Sequence, residues 1–109
     1  MAEPTLQQIF GANAIQDATT ITITKADLPR LTASPTNTAE SLLTAILLKA
    51  QDGLPQSTFD TNLDQSIYIA LGFPGFAFRG TNNDSYRVDQ ITVNLAKPDI
   101  SATIDPDDY

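Results

Sequence analysis

The stretch NTAESLLTAILLKAQDG, residues 37–53, carries the clearest helical pattern of the sequence. Asn37 is a good N-cap, and Glu40 follows three residues later, as in a capping box with Asn in place of Ser or Thr. Gly53 suits the position just beyond a helix end, and Pro55 prevents the helix from continuing. The spacing predicts one main helix of about four turns.

This predicted helix is apolar over a wide face. A broad stripe is formed by Leu42, Leu43, Ile46, Leu47 and Ala50. Three further apolar positions, Ala39, Ala45 and Leu48, widen it past what one sheet face usually covers. We therefore expect the helix either to lie wedged between two layers or to press against another chain, with Leu48 as a contact to that partner.

Period-two alternation outside the helix predicts several short strands. The segments that alternate are TTITITK (19–25), SIYIALG (66–72), FAFRG (76–80) and SYRVDQITVNLAK (85–97). In the last segment the parity changes, because Tyr86 and Val88 fall on one face and Ile91 and Val93 on the other. A bulge near Asp89–Gln90 would explain the change of parity, and so would a strand that passes from one packed surface to another.

These elements predict the fold class. A chain of 109 residues is long enough for one domain with a modest core. We expect an α+β domain with one main helix packed on a small, mainly antiparallel sheet, and with extended N- and C-terminal arms. Residues 1–17 would form the N-terminal arm, residues 18–97 the core and residues 98–109 an acidic tail.

Both arms carry apolar side chains among polar ones. The segment EPTLQQIFG (3–11) is typical of a short helical turn, with a proline at its start and a glycine at its end. The aspartate-rich tail, in turn, has apolar residues between its charges. We expect contacts with neighbouring subunits from Leu6, Ile9 and Phe10 in the first arm and from Ile100, Ile104 and Tyr109 in the tail.

Charge and composition exclude several classes of function. The formal net charge is −7 and the six basic residues are scattered, so we expect no nucleic-acid and no anionic-lipid partner. Without Cys or His, the chain cannot build a Ser–His–Asp or Cys–His site or a Cys-ligated metal centre. We expect no enzyme and no cofactor. The sequence has neither a membrane-length apolar run nor a signal-like start, so we expect synthesis in a cytoplasm and no membrane partner.

The segment LGFPGFAFRG, residues 71–80, concentrates three of the five phenylalanines. It could be an aromatic surface that stacks on a base, a sugar or a proline-rich partner. It could equally be a hairpin around a Pro–Gly turn that supplies the core. Strand alternation favours core positions for Phe76 and Phe78, while Phe73 beside the turn is expected to be exposed and to contact a partner.

A weaker pattern is DTNLD, in which Asp60, Asn62 and Asp64 have the one-three-five spacing of a calcium loop. The sixth position of such a loop needs Gly and here is Gln65. The twelfth needs a bidentate Glu and here is Leu71. A turn or capping role is therefore the expected one, and we predict no metal site.

Two segments carry a resemblance. MAEPTLQQIFGANAIQDATTITITKADLPRL (1–31) and NTAESLLTAILLKAQ (37–51) resemble short proteins of filamentous cyanobacteria and their phages. The composition, rich in Thr, poor in Lys and free of Cys and His, is similar in profile to structural proteins of tailed-phage virions. That likeness implies a capsid cement or decoration protein, or a component of the tail or the head–tail joint.

We therefore expect a non-enzymatic structural subunit of a multi-protein assembly, located in a virion or similar particle after synthesis in the host cytoplasm. Its partners would be other protein subunits, in a homo- or hetero-oligomer, buried against its arms and helix face. The alternative is a free-standing module that binds a small molecule or peptide through Phe73, Tyr68 and Arg79 around the hairpin.

Overall fold

Helix α2, residues Ala39–Gly53, crosses the centre of the protein in a computed structural model that describes residues 2–98 and 103–109. Its N-cap is Thr38, whose hydroxyl accepts a hydrogen bond from the Ser41 amide at 3.1 Å. The predicted cap, Asn37, instead closes the preceding loop, since its side chain accepts from the Ser34 amide and donates to the Thr32 carbonyl. The helix is where the sequence predicts it, with its cap one residue later.

The other elements are short. Two further helices are α1 (Leu6–Phe10) and α3 (Gln56–Phe59), and 3₁₀ turns cover Lys25–Asp27 and Pro106–Asp108. The strands are β1 (Ile15–Gln16), β2 (Ile21–Thr22), β3 (Ile67–Leu71), β4 (Gly75–Arg79), β5 (Asp84–Val88) and β6 (Ile91–Leu95). Across the described residues they pair as three antiparallel two-stranded sheets, β1–β2, β3–β6 and β4–β5. The predicted α+β class, with one main helix and small antiparallel sheets, is confirmed.

Strands β3 to β6 form one long hairpin with an interruption in the middle. The inner ladder starts with Gly75 opposite Val88, and the outer ladder ends with Leu71 opposite Ile91. Residues 72–74 therefore lie opposite residues 89–90, so one side of the hairpin has an extra residue. The pairing is interrupted at Asp89–Gln90, where the sequence predicts a bulge, but the extra residue is on the opposite strand, within residues 72–74.

The core is small and lies between α2 and β3. Its buried members are Ala50, Leu54 and Ile69, with partly buried Ile9, Ile67 and Ile91 packed around them. A backbone hydrogen bond of 2.9 Å from the Ile69 amide to the Leu54 carbonyl joins the strand to the segment that follows the helix. The helix therefore packs on the outer ladder, β3–β6, and the inner ladder extends beyond it.

Both end segments contact the domain. Helix α1, closed by a capping box between Thr5 and Gln8, packs against α2. At the other end, the Lys97 ammonium pairs with the Asp108 carboxylate at 2.9 Å and also donates to the Thr103 carbonyl. The segments predicted as arms are thus held on the chain's own surface over the residues described.

The molecule is open for its size. Its accessible surface is 8156 Å², whereas a compact monomer of 11.7 kDa would expose about 5,900 Å². Its radius of gyration is 16.6 Å, against about 13 Å for a compact domain of this length. The inner half of the long hairpin contributes to this extra surface, since β4 and β5 make their main contacts with each other.

Candidate protein-interaction surface

The inner half of the hairpin, residues 73–88, is named here the aromatic ribbon. Its register pairs Phe76 with Arg87 and Phe78 with Ser85, so these four side chains share one face, the Phe face. Phe76 is 76% exposed and Phe78 is 73% exposed. Phe73, at the start of the ribbon and before β4, is 91% exposed.

The expectation that Phe76 and Phe78 enter the core is therefore wrong. Alternation along a strand shows which side chains share a face, but it does not show what covers that face. In this fold the helix covers the outer ladder, and neither face of the ribbon is packed against another layer over the described residues. The expectation that Phe73 is exposed agrees with the structure.

The opposite face of the ribbon is also partly apolar. Ala77 lies opposite Tyr86, and Gly75 lies opposite Val88. Tyr86 and Val88 are each about half exposed. The Arg79 guanidinium lies over the Tyr86 ring, 4.9 Å from its centroid, which fixes the ring by a cation–π contact.

The ribbon differs from the rest of the protein in charge. Arg79 and Arg87 of the ribbon are balanced by Asp84, also in the ribbon, and by Asp89, the residue that directly follows it. The whole net charge of −7 therefore falls on the remaining residues. Arg87 and Asp89 form an ion pair of 2.8 Å that is well exposed on both sides, so it adds little to stability. The surface is thus both apolar and electrically neutral.

A groove of about 700 Å³ runs beside the helix. Its lining includes Leu48, Gln51 and Arg30 on one side and Ile69 and Leu71 on the other. Leu48, a predicted partner contact, is half-buried in its wall. Leu71 is 70% exposed and links the groove to the start of the ribbon.

The predicted contact residues at the chain ends are partly buried against their own chain in some cases and exposed in others. Leu6, Ile9 and Phe10 are all partly buried, and Ile9 packs against the core of its own chain. Tyr109 lines a small cavity of about 50 Å³ together with Ile9. Ile104 is 73% exposed.

The remaining predicted contact in the tail, Ile100, lies outside the described residues. The structure therefore brings Ile9 and Tyr109 together and leaves Phe73 and Ile104 in solvent.

The segment with calcium-loop spacing is used as a turn. The Asn62 side-chain oxygen accepts from the Asp64 amide at 3.0 Å, and its amide group donates to the Ala2 carbonyl at 2.9 Å. The oxygen that a calcium loop would use is thus engaged. Across residues 2–98 and 103–109, acidic residues form no group suited to hold a metal ion.

The residues of the alternative hairpin module also have partners within the chain. Tyr68 packs against Phe59 with ring centroids 4.8 Å apart, and Arg79 is held over Tyr86. Only Phe73 of the three is freely available. The structure does not arrange the three as a pocket.

Sequence reasoning did not identify Phe76, Phe78, Tyr86 and Val88 as surface residues. One signal was present, since the change of parity near Asp89–Gln90 separates the ribbon from the ladder that meets the core. Beyond the ribbon, Ile15 and Ile21 in the β1–β2 hairpin are also more than half exposed.

Comparisons of this chain with protein-family models, with curated proteins and with solved structures gave no match. No helix in the described part of the chain is both long enough and apolar enough to cross a membrane.

Proposed function

We propose that the protein is a non-enzymatic structural subunit of a multi-protein assembly, which acts by burying the aromatic ribbon against a neighbouring subunit. The observation that carries this proposal is the ribbon itself, a two-stranded hairpin with apolar side chains exposed on both faces. The excess accessible surface of the whole chain supports it.

The exposed aromatic area is as large as the largest apolar patch of a typical monomer, which is often a functional surface. At about 200 Å² for a whole phenylalanine, the exposed fractions of Phe73, Phe76 and Phe78 amount to about 480 Å². Patches of this size on soluble proteins usually mark an interaction site. A two-stranded hairpin without a covering layer is also only marginally stable in water. Burial against a partner would remove the phenylalanines from water and would also stabilise the hairpin.

A virion is the assembly to test first. The proposal of a phage location rests on the likeness in composition to tailed-phage virion proteins, and the neutral apolar ribbon is compatible with a packed protein lattice. Within this proposal the partners are protein subunits, and neither a cofactor nor a nucleic acid takes part. Phe73, Leu48 and Ile104 are the contact residues proposed outside the two strands.

The test is sedimentation of lysates and of purified particles from the native source, with a tagged copy of the chain. The wild-type chain is expected in fast-sedimenting particles, and the double variant Phe76→Ser/Phe78→Ser is expected to stay among free proteins. Both phenylalanines are exposed, so the variant should keep its fold, which circular dichroism checks.

A matched control is Leu63→Ser, because Leu63 is 94% exposed and lies outside the ribbon. It should enter particles as the wild type does. Recovery of the wild-type chain only among free proteins would contradict the proposal. Two results together would also contradict it and favour the alternative binding module. The double variant Phe76→Ser/Phe78→Ser would enter particles normally, and Phe73→Ala would lose binding of a small molecule or peptide.

A further inference from the structure

We infer that the partner of the aromatic ribbon is a second copy of this chain, and that the two copies pack their Phe faces against each other around a twofold axis. This inference rests on the proposed function and names the first contact of the assembly. It requires that the Phe face be complementary to itself, because a twofold contact brings the same patch from both copies together.

Area is the first argument for this pairing. A standard interface buries about 800 Å² on each partner. The exposed parts of Phe76 and Phe78, the two phenylalanines of the Phe face, supply about 300 Å² of this on each copy. Leu71, 70% exposed, lies where the ribbon begins. The two rings of the Phe face alone thus supply more than a third of what a stable dimer needs.

Charge is the second argument. Two copies that each carry −7 repel each other over most of their surfaces. The repulsion is smallest where the ribbons meet, because the charges of residues 71–91 cancel. A strongly basic partner would be attracted to the acidic remainder of the chain instead. Among protein partners, the neutral ribbon is therefore best suited to a copy of itself.

The chemistry of the strands favours contact through the faces. Amides and carbonyls on the free edges of β4 and β5 can bond to water, whereas the rings of Phe76 and Phe78 cannot. Packing two sheets face to face about 10 Å apart removes these rings from water. Arg87 lies opposite Phe76 on the same face, so it would stand beside the buried rings.

The test is the mass of the full chain in solution, by sedimentation velocity over a series of concentrations. The wild type is expected to pass from one to two chains of 11.7 kDa as concentration rises. Phe76→Ser/Phe78→Ser should remain monomeric throughout, while Leu63→Ser should dimerise as the wild type does.

A pair of charge reversals sharpens the test. Arg87→Glu puts an anion beside the rings of both copies and should raise the dimer Kd at least tenfold. Arg30→Glu makes the same change of charge in the lining of the Leu48 groove and should change the Kd less than threefold. A larger effect of Arg30→Glu than of Arg87→Glu on the dimer Kd would overturn the inference and place the ribbon of the second copy in that groove.

Photo-crosslinking gives an independent readout. A photoreactive phenylalanine analogue at position 78 is expected to crosslink to the ribbon of the second copy. Crosslinks to residues around Leu48 would overturn the face-to-face contact.

The failure of this inference can be told apart from the failure of the proposed function. A wild-type chain that is monomeric at every concentration, yet enters particles only with Phe76 and Phe78 intact, overturns pairing with a second copy and leaves the assembly role standing. A chain that never enters particles contradicts the proposed function whatever its mass in solution.

Discussion

Gln65 is the polar side chain that lies deepest in the described part of the protein, with 4% of its surface exposed. Its amide nitrogen donates to the Pro55 carbonyl at 3.1 Å and to the Ile67 carbonyl at 2.8 Å. Its side-chain oxygen accepts from the Thr58 hydroxyl at 2.7 Å. One side chain thus connects the start of α3 with the start of β3.

Replacing Gln65 by Leu should lower the free energy of unfolding by about 1–3 kcal/mol, since it removes the side-chain donor to the Ile67 carbonyl. Urea unfolding measures the change. The control is Gln56→Leu, because Gln56 is exposed on α3 and should alter stability by less than about 0.5 kcal/mol. Equal effects of the two variants would show that the Gln65 hydrogen bonds contribute nothing.

Asp17 closes the turn between β1 and β2. Hydrogen bonds from the backbone amides of Thr19 and Thr20, both 2.8 Å, and from the Thr20 hydroxyl hold the pKa of the Asp17 carboxyl below its ordinary range. The ionised form is therefore the one that stabilises the turn. This contribution is complete above the ordinary aspartate pKa and is lost as the pH falls through the lowered value.

Carbon NMR of the Asp17 carboxyl should accordingly give a titration midpoint below about 3.9, the usual aspartate value. Thr20→Val removes the hydroxyl donor, keeps the two amides and should move the midpoint part of the way back. A wild-type midpoint at or above the usual value would show that these hydrogen bonds do not form in solution.

At the residue scale, the sequence identified helix-terminating residues but not their contacts. Gly53 suggested a position just beyond the helix, and it is instead the last helical residue. A glycine is needed there because the backbone of α1 passes so close. A β-carbon on Gly53 would lie 2.2 Å from the Gln8 carbonyl oxygen. Contacts between distant segments of this kind leave no local signal in the sequence.

At the element scale, the approach of α1 to α2 gives a direct prediction. Gly53→Ala must push the two helices apart and should cost about 1–3 kcal/mol of unfolding free energy, as overpacking usually does. Gly75→Ala is the matched control, because a β-carbon there meets nothing within 4 Å. Thermal unfolding compares the two, and a neutral Gly53→Ala would mean that α1 is not docked on α2.

The elements themselves were largely predictable. Periodicity located α2 and the strands of the long hairpin, and the parity change located its interruption. What covers each strand was not predictable, because Phe76 and Phe78 have the same alternation as Ile67 and Ile69. Only the path of the helix, which packs on β3 and not on β4, separates core from surface in this hairpin.

At the scale of the whole molecule, the ribbon sets the shape. Strands β4 and β5 make their main contacts with each other, and the radius of gyration of 16.6 Å agrees with a ribbon that extends from the body. Small-angle X-ray scattering of the monomeric Phe76→Ser/Phe78→Ser variant should therefore give a value near 17 Å, clearly above the about 13 Å of a compact domain. A value near the compact limit would show that the ribbon folds back onto the groove beside Leu48.

At the scale of the whole molecule, the sequence did not predict which apolar side chains would be on the surface. The class of fold and a modest core followed from local patterns and chain length, but the exposure of so many apolar side chains did not, because the apolar content of 41% suggests an ordinary interior. Much of that apolar content is on the surface, as Phe73 and Leu63 illustrate. Of the residues in the aromatic ribbon, only Phe73 was predicted to be an exposed contact residue. Its exposure could be predicted because it lies beside a Pro–Gly pair, which is typical of a turn.

The position of the arginines has a consequence for the lifetime of the chain in a cell. Arg79 and Arg87 are exposed at either side of the ribbon's turn, whereas the Lys97 side chain is only 12% exposed and held by Asp108. Trypsin should thus cut a solitary chain at the exposed Arg30 and within the ribbon, and spare Lys97. Burial of the ribbon in the proposed assembly would block the cuts at Arg79 and Arg87, which predicts that unassembled copies are cut there while incorporated copies are protected.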